Sequence, residues 1–235
     1  MARQEIEFVF FDAGETLVHP MPSFPELFMR VCSEHGLEVD FNILRTATRS
    51  LMAGVEDRQR QGYTFSNETS KSRRFWLDFY GGLVNEMGYT QQDGALPLAL
   101  YDTFSMPANY GAYHDAHDTL LELRERGLRM GLISNFEPWL EGLLEDLGML
   151  GFLEVLVISG REAYEKPHPR IYELALERGG VPPQRALHVG DSPISDYDGA
   201  RDAGMRAILL DRWGRFPDFT GEVIKDLREL PELLD

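Results

Sequence analysis

Two short apolar segments far apart in the chain each end on an aspartate: Phe8-Val9-Phe10-Phe11-Asp12 and Leu187-His188-Val189-Gly190-Asp191. Runs of this kind read as buried strands. Two strands that stop at carboxylates suggest both groups side by side at the carboxyl edge of one parallel sheet, the edge where open α/β folds bind ligands. Paired hard oxygen donors there suit Mg²⁺, and a metal that bridges phosphate oxygens is the usual apparatus of phosphoryl transfer. Asp196, five residues beyond Asp191, falls in the next turn as a further ligand, direct or through water. Asp12 is ionised at neutral pH and can attack phosphorus without a general base, forming an aspartyl-phosphate. Asp12 and Gly14 equally suit a plain turn at the end of a strand.

Two other segments offer groups for an anion. Leu132-Ile133-Ser134-Asn135 closes an apolar strand just before a helix start at Pro138, so the serine hydroxyl and neighbouring backbone N–H groups can form an anion site. The same residues also suit an ordinary helix N-cap. Lys166, in Glu165-Lys166-Pro167-His168-Pro169, is one of only three lysines against twenty arginines. It can serve as a compact charge between nucleophile and phosphate, or as a solvated loop lysine.

The elements that must position these residues follow from apolar patterning. Strand signals occur at 6–11, 128–134, 155–159, 186–191 and 206–211, with a weaker one at 223–224. Helical patterns at 115–126, 138–147, 169–178 and 197–203 separate most of them, which implies βαβ units around a parallel, Rossmann-like sheet. Gly127, Gly148, Gly179 and Gly204 fall where those helices should end. Between Asp12 and Leu128 the pattern is almost wholly helical. Leu27, Phe28, Val31 and Cys32 share one face, and Phe75, Trp76, Phe79, Tyr80, Leu83, Val84 and Met87 form a second stripe. The expected organisation is an α/β core of residues 1–17 and 113–235 with an inserted helical cap, 18–112, hinged near the prolines of 19–22 and 106–111. The aromatic and arginine residues of the cap, Arg58 to Tyr80, suit substrate selection or simple packing with a solvated face.

Composition narrows the function classes. The 235 residues carry 23 basic and 39 acidic side chains, a net charge of −16. Binding to nucleic acid or anionic lipid draws on Lys and Arg, so neither is expected, and any phosphate must be held locally. The single cysteine, Cys32, fits a reducing compartment. The charged start of the chain and the short apolar run 8–11 are too brief for a signal segment or membrane span. The expectation is a cytoplasmic protein, monomer or homodimer, acting on a small phosphorylated metabolite.

In their order and spacing these segments resemble the haloacid dehalogenase superfamily of aspartate-nucleophile hydrolases, and the resemblance covers nearly the whole chain. The first motif, Asp-x-x-x-Thr, corresponds to Asp12 and Thr16; the second to Ser134; the third to Lys166-Pro167; the fourth to Gly190, Asp191, Ser192 and Asp196. The helical insert is similar to the family's type-1 cap. The resemblance implies that Asp12, Asp191, Asp196 and the carbonyl of Gly14 hold Mg²⁺, with Asp12 as nucleophile. It implies that Ser134 and Lys166 hold the phosphoryl oxygens, with Thr16 and Asn135 on the substrate side. One departure matters: family phosphatases carry an acidic residue two places after the nucleophile, as general acid for the leaving oxygen, and here that place is Gly14. Loss of such an acid costs about 10²–10⁴ in rate. Glu15 and His19 are the nearest proton carriers, and Glu15 is expected to point elsewhere. Two other readings fit the same residues: a 2-haloacid dehalogenase, and a catalytically weak binding protein that keeps the fold.

Overall fold

The structure is a computed structural model that describes residues 5–89 and 94–234. It divides into two compact units, one of residues 1–18 with 112–235 and the other of residues 19–111.

The first unit is built on a six-stranded sheet in the order β5-β4-β1-β6-β7-β8. Its strands are β1 (Phe8–Phe11), β4 (Arg129–Ser134), β5 (Val155–Ile158), β6 (Ala186–Gly190), β7 (Arg206–Leu210) and β8 (Val223–Ile224). Every neighbouring pair is parallel. All four residues of β1 are fully buried, as expected of a central parallel strand covered on both faces. The chain runs from β1 outward to β4 and β5, then returns to β6 on the other side of β1. That reversal opens a crevice at the carboxyl ends of β1, β4 and β6.

The helices of this unit are α5 (Ala116–Glu125), α6 (Leu140–Asp146), α7 (Pro169–Gly179) and α8 (Gly199–Asp202). Pro169 opens α7, where a missing N–H costs nothing, and the His168 ring accepts the Arg170 amide as cap (3.1 Å). Two details differ from the sequence expectation. Gly179 does not end α7 in the left-handed conformation; Gly180 does (φ +59°). Gly179 instead lies where a Cβ would press on the Phe8 ring at 3.1 Å. The expected helix at 197–203 is a π-helical turn, Pro193–Asp198, leading into the short α8.

Among the described residues the second unit is helical, as the pattern leads one to expect, with α1 (Phe24–Glu34), α2 (Phe41–Arg60), α3 (Thr69–Glu86) and α4 (Ala95–Phe104). The apolar stripe of α1 is buried at Leu27, Phe28, Val31 and Cys32, and that of α3 at Phe75, Phe79, Tyr80, Leu83 and Val84. Phe65 stacks on Phe75 (4.0 Å between centroids), and Trp76 meets Phe75 edge-on (5.0 Å). Arg58 lies over Tyr63, Arg73 over Tyr101, and Arg60 pairs with Asp57, so most of the aromatic and arginine set has structural partners. Two three-residue strands missed in the sequence, β2 (Val18–Pro20) and β3 (Tyr110–Ala112), form a separate two-stranded sheet. Three residues are too few for a readable alternation.

Candidate active site

Asp12 is the first residue past β1, and its amide donates to the Val189 carbonyl of β6 (2.9 Å). The sheet therefore fixes the nucleophile candidate by a backbone bond to β6. Ser134, the last residue of β4, donates its hydroxyl to Asp12 Oδ1 (3.0 Å). Lys166, from the loop between β5 and α7, is 2 % exposed. Its Nζ donates to Asp12 Oδ1 at 2.7 Å and to Asp196 Oδ1 at 2.5 Å. The lysine is thus a buried bridge between two carboxylates, and the solvated-loop alternative fails. Among the described residues Asp12 Oδ2 takes no hydrogen bond, which leaves it available.

Asp196 is held from three directions. Besides Lys166, its Oδ1 meets His188 Nε2 (2.9 Å), and its Oδ2 accepts the Ser192 amide (2.9 Å). The π-helical turn brings this carboxylate back against β6, so close that a Cβ at Gly190 would overlap it. Only glycine fits there, which explains the Gly-Asp pair in physical terms. Asp191 sits at the end of β6 and pairs with Arg215 Nη2 (2.8 Å).

Asp12, Asp191 and Asp196 each offer a ligand atom, all within 4.8 Å of one another. The electrostatics fit a cation among them. Burial raises the Asp12 carboxyl above its usual range against the pull of Lys166, and Asp196 adds to the rise. Burial likewise pushes Asp191 up to about 7, although Arg215 opposes it. Asp196 moves the other way: burial would raise it, but Lys166 and His188 hold it well below the ordinary value. Burial alone would depress Lys166, yet its two carboxylates hold it above the usual ammonium range and charged. Burial keeps His188 low and neutral. Two under-neutralised carboxylates with hard oxygens are a donor set for Mg²⁺. The carbonyl of Gly14, two residues on, is a further oxygen of the same kind.

Asn135 and Thr16 lie outside this acid cluster. Asn135 Nδ2 donates to the Lys166 carbonyl (2.8 Å) and its Oδ1 accepts the Lys166 amide (2.7 Å), so it braces the lysine loop. Thr16 is fully buried, and its Oγ1 makes no hydrogen bond among the described residues. Glu15 does point elsewhere, its carboxylate accepting the Tyr113 hydroxyl (2.7 Å). The His19 ring meets the Pro20 carbonyl (2.9 Å) within the helical unit. A Cβ on Gly14 would meet only the Phe136 ring edge, at 3.8 Å, so the place of the missing acid is roomy and apolar-walled.

Sequence reasoning missed His188, which reads as one more apolar-run residue, and Arg215. For Arg215 a signal existed: β7 too ends on a charged pair, Asp211-Arg212, at the same sheet edge.

A parallel α/β core with an aspartate–lysine pair and a carboxylate cluster at its switch point defines the class, an open α/β protein with an acidic site at the sheet edge. The match to the haloacid dehalogenase-like hydrolase family spans residues 6–204, and the chain belongs to that family. It is 33% identical over 214 residues to human haloacid dehalogenase-like hydrolase domain-containing protein 3, covering 88% of this chain and 83% of that protein. It is 32% identical to a glyceraldehyde 3-phosphate phosphatase of Pyrococcus abyssi over 222 residues, 86% of this chain and 80% of the relative. Among solved structures, the magnesium-bound HAD-hydrolase YfnB of Bacillus subtilis aligns with a TM-score of 0.79 at 17% identity, covering 99% of this chain and 100% of that one; at that identity the likeness concerns the fold.

Proposed function

We propose that this hydrolase cleaves small phosphate monoesters through an aspartyl-phosphate on Asp12, with Mg²⁺ as cofactor. The observation that carries the reading is the Asp12–Lys166–Asp196 bridge set beside Asp191. Asp12, Asp191, Asp196 and the Gly14 carbonyl would hold the metal, which supplies positive charge to offset the repulsion between an anionic nucleophile and an anionic substrate. Asp12 Oδ2 attacks phosphorus in line, the P–O bond to the leaving group breaks, and the freed alkoxide takes its proton from water. Lys166 and Ser134 hold the transferring group. Water then attacks the phosphorus of the aspartyl-phosphate, releasing inorganic phosphate and restoring the Asp12 carboxylate. Thr16 and Asn135 act indirectly, by shaping the loops that carry Asp12 and Lys166. The helical unit serves as the cap that selects a small phosphorylated metabolite, in a cytoplasmic setting. Among the described residues no helix is long and apolar enough to cross a membrane.

The phosphatase-named relative supports this reading. The dehalogenase alternative is weakened by Asp191, whose carboxylate beside the nucleophile repels an anionic 2-halo acid. The test is phosphate release from a panel of phosphate esters with Mg²⁺ and with EDTA, using Asp12→Asn as control. Release that persists in Asp12→Asn or in EDTA overturns the proposal, and chloride release from 2-halo acids in EDTA turns it toward the dehalogenase.

A further inference from the structure

The segment after β7 reaches back to the nucleophile loop through a chain of contacts outside the acid cluster. Asp211 is buried and accepts the amides of Arg215 (2.8 Å) and Phe216 (3.0 Å), which folds the segment into a closed turn. Within it the Arg212 guanidinium grips Asp115 with both arms, Nη1 to Oδ2 at 2.6 Å and Nη2 to Oδ1 at 2.9 Å. Nη2 also donates to the carbonyl of Thr16 (2.8 Å). The Asp115 side chain is fully buried, and its Oδ2 accepts the Leu227 amide as well (2.9 Å). The guanidinium stacks 4.0 Å above the Tyr113 ring. Tyr113 in turn donates its hydroxyl to Glu15 and its amide to the Leu17 carbonyl (2.9 Å). Residues 15, 16 and 17 are each held, one after another, by groups from segments about a hundred and two hundred positions away.

The loop needs such holding. Glu15 stands at φ +55°, in the left-handed region that a non-glycine residue occupies only when its surroundings impose it. A buried ion pair seldom stabilises a fold more than apolar packing of the same volume. What the two-armed guanidinium–carboxylate pair adds is direction, and here that direction is spent on a backbone carbonyl four residues from Asp12.

We propose that Arg212 and Asp115, with Tyr113, are positioning residues for phosphoryl transfer. They clamp the Asp12–Leu17 loop so that the nucleophile and the Gly14 carbonyl keep a fixed aim. The inference rests on the reading of Asp12 as nucleophile, and none of the three residues touches substrate.

The experiment compares wild type, Arg212→Lys and Tyr113→Phe as full chains for kcat, KM, Mg²⁺ dissociation constant by calorimetry, and Tm. Lysine keeps the charge but cannot span both Asp115 oxygens and the Thr16 carbonyl. Arg212→Lys is expected to lower kcat and weaken Mg²⁺ binding by about 10–100-fold, the range seen when an outer partner of a metal site is lost, with KM little changed. Tyr113→Phe removes one hydroxyl, and should weaken both several-fold at an unchanged Tm. A lower Tm with wild-type kcat and Mg²⁺ affinity in the folded variants overturns the proposal and leaves a purely structural pair. Should Arg212→Lys fail to fold, wild-type kcat and Mg²⁺ affinity in Tyr113→Phe overturn it alone. Wild-type protein that neither binds Mg²⁺ nor releases phosphate refutes the phosphatase reading itself, before any variant is made, and this inference with it.

Discussion

The α/β unit buries Asp12, Ser134, Lys166, His188 and Asp196 in one hydrogen-bonded group, whereas the helical unit buries mainly rings and aliphatic chains around Phe65, Phe75, Phe79, Tyr80 and Phe104. Both are tightly packed, yet their interiors answer to different rules. A ring cluster tolerates exchange of one apolar shape for another at modest cost. A buried charge group does not, because each member lost leaves another without its partner. Polar groups gather where strands end since backbone N–H and C=O groups there have left the ladder and can be shared with side chains. In the helical unit the backbone groups freed at helix starts are taken up by local caps such as Ser23 and Asp40, and its interior supplies shape instead.

That contrast can be broken or sharpened by substitution. Lys166→Met should cost the most on both counts. It leaves Asp12 and Asp196 buried and mutually repelling, so kcat should fall by about 10²–10³ and stability by about 3–5 kcal/mol, read by turnover and denaturant melts. Phe79→Ala in the helical unit should cost stability of the same order, about 3–5 kcal/mol, while kcat per folded molecule stays close to wild type. Equal losses of kcat in the two variants would erase the distinction between the units. Gly14→Asp adds a carboxyl where only the Phe136 ring edge stands, 3.8 Å from a built Cβ. An increase in kcat for alkyl phosphates of about 10²-fold, the lower end of the range for positioned acid catalysis, is expected; an unchanged rate would show that the acid is supplied otherwise.

The smallest effect concerns Cys32, fully buried in α1, whose thiol burial pushes up to about 12. Because the folded thiol holds its proton more tightly than the unfolded one, the group favours the fold below its ordinary value of 9.0, and that contribution shrinks as pH rises toward 12. Native protein should therefore resist iodoacetamide at pH 8.5, while urea-unfolded protein reacts within minutes, as mass spectrometry would show.

Much of this was legible in the residues. β1 and β6 are continuous apolar runs that stop at acids, and a parallel sheet places such ends together, so the meeting of Asp12 and Asp191 follows from pattern and topology. The stripes of α1 and α3 were equally plain, since ring and aliphatic spacing at 3.6 residues leaves one reading. The roles of Asn135 and Arg212 were not legible. Asn135 follows Ser134 in the chain and reads as another anion contact, and no local pattern shows that its side chain braces the Lys166 backbone. Arg212 lies nearly two hundred positions from the Thr16 carbonyl it binds, and although its place just past β7 marks it as a sheet-edge residue, nothing local names that partner.

The sequence by itself determined the alternation of strands and helices, the inserted helical stretch and the residue types at the strand ends, because periodicity and strand termination are local properties. Only the tertiary structure decided which partner each ionised group takes: Lys166 between two acids, Asp191 against Arg215, Asp115 against Arg212. Pairing of charge depends on distances across the sheet and on burial, and these arise only after the chain has closed upon itself.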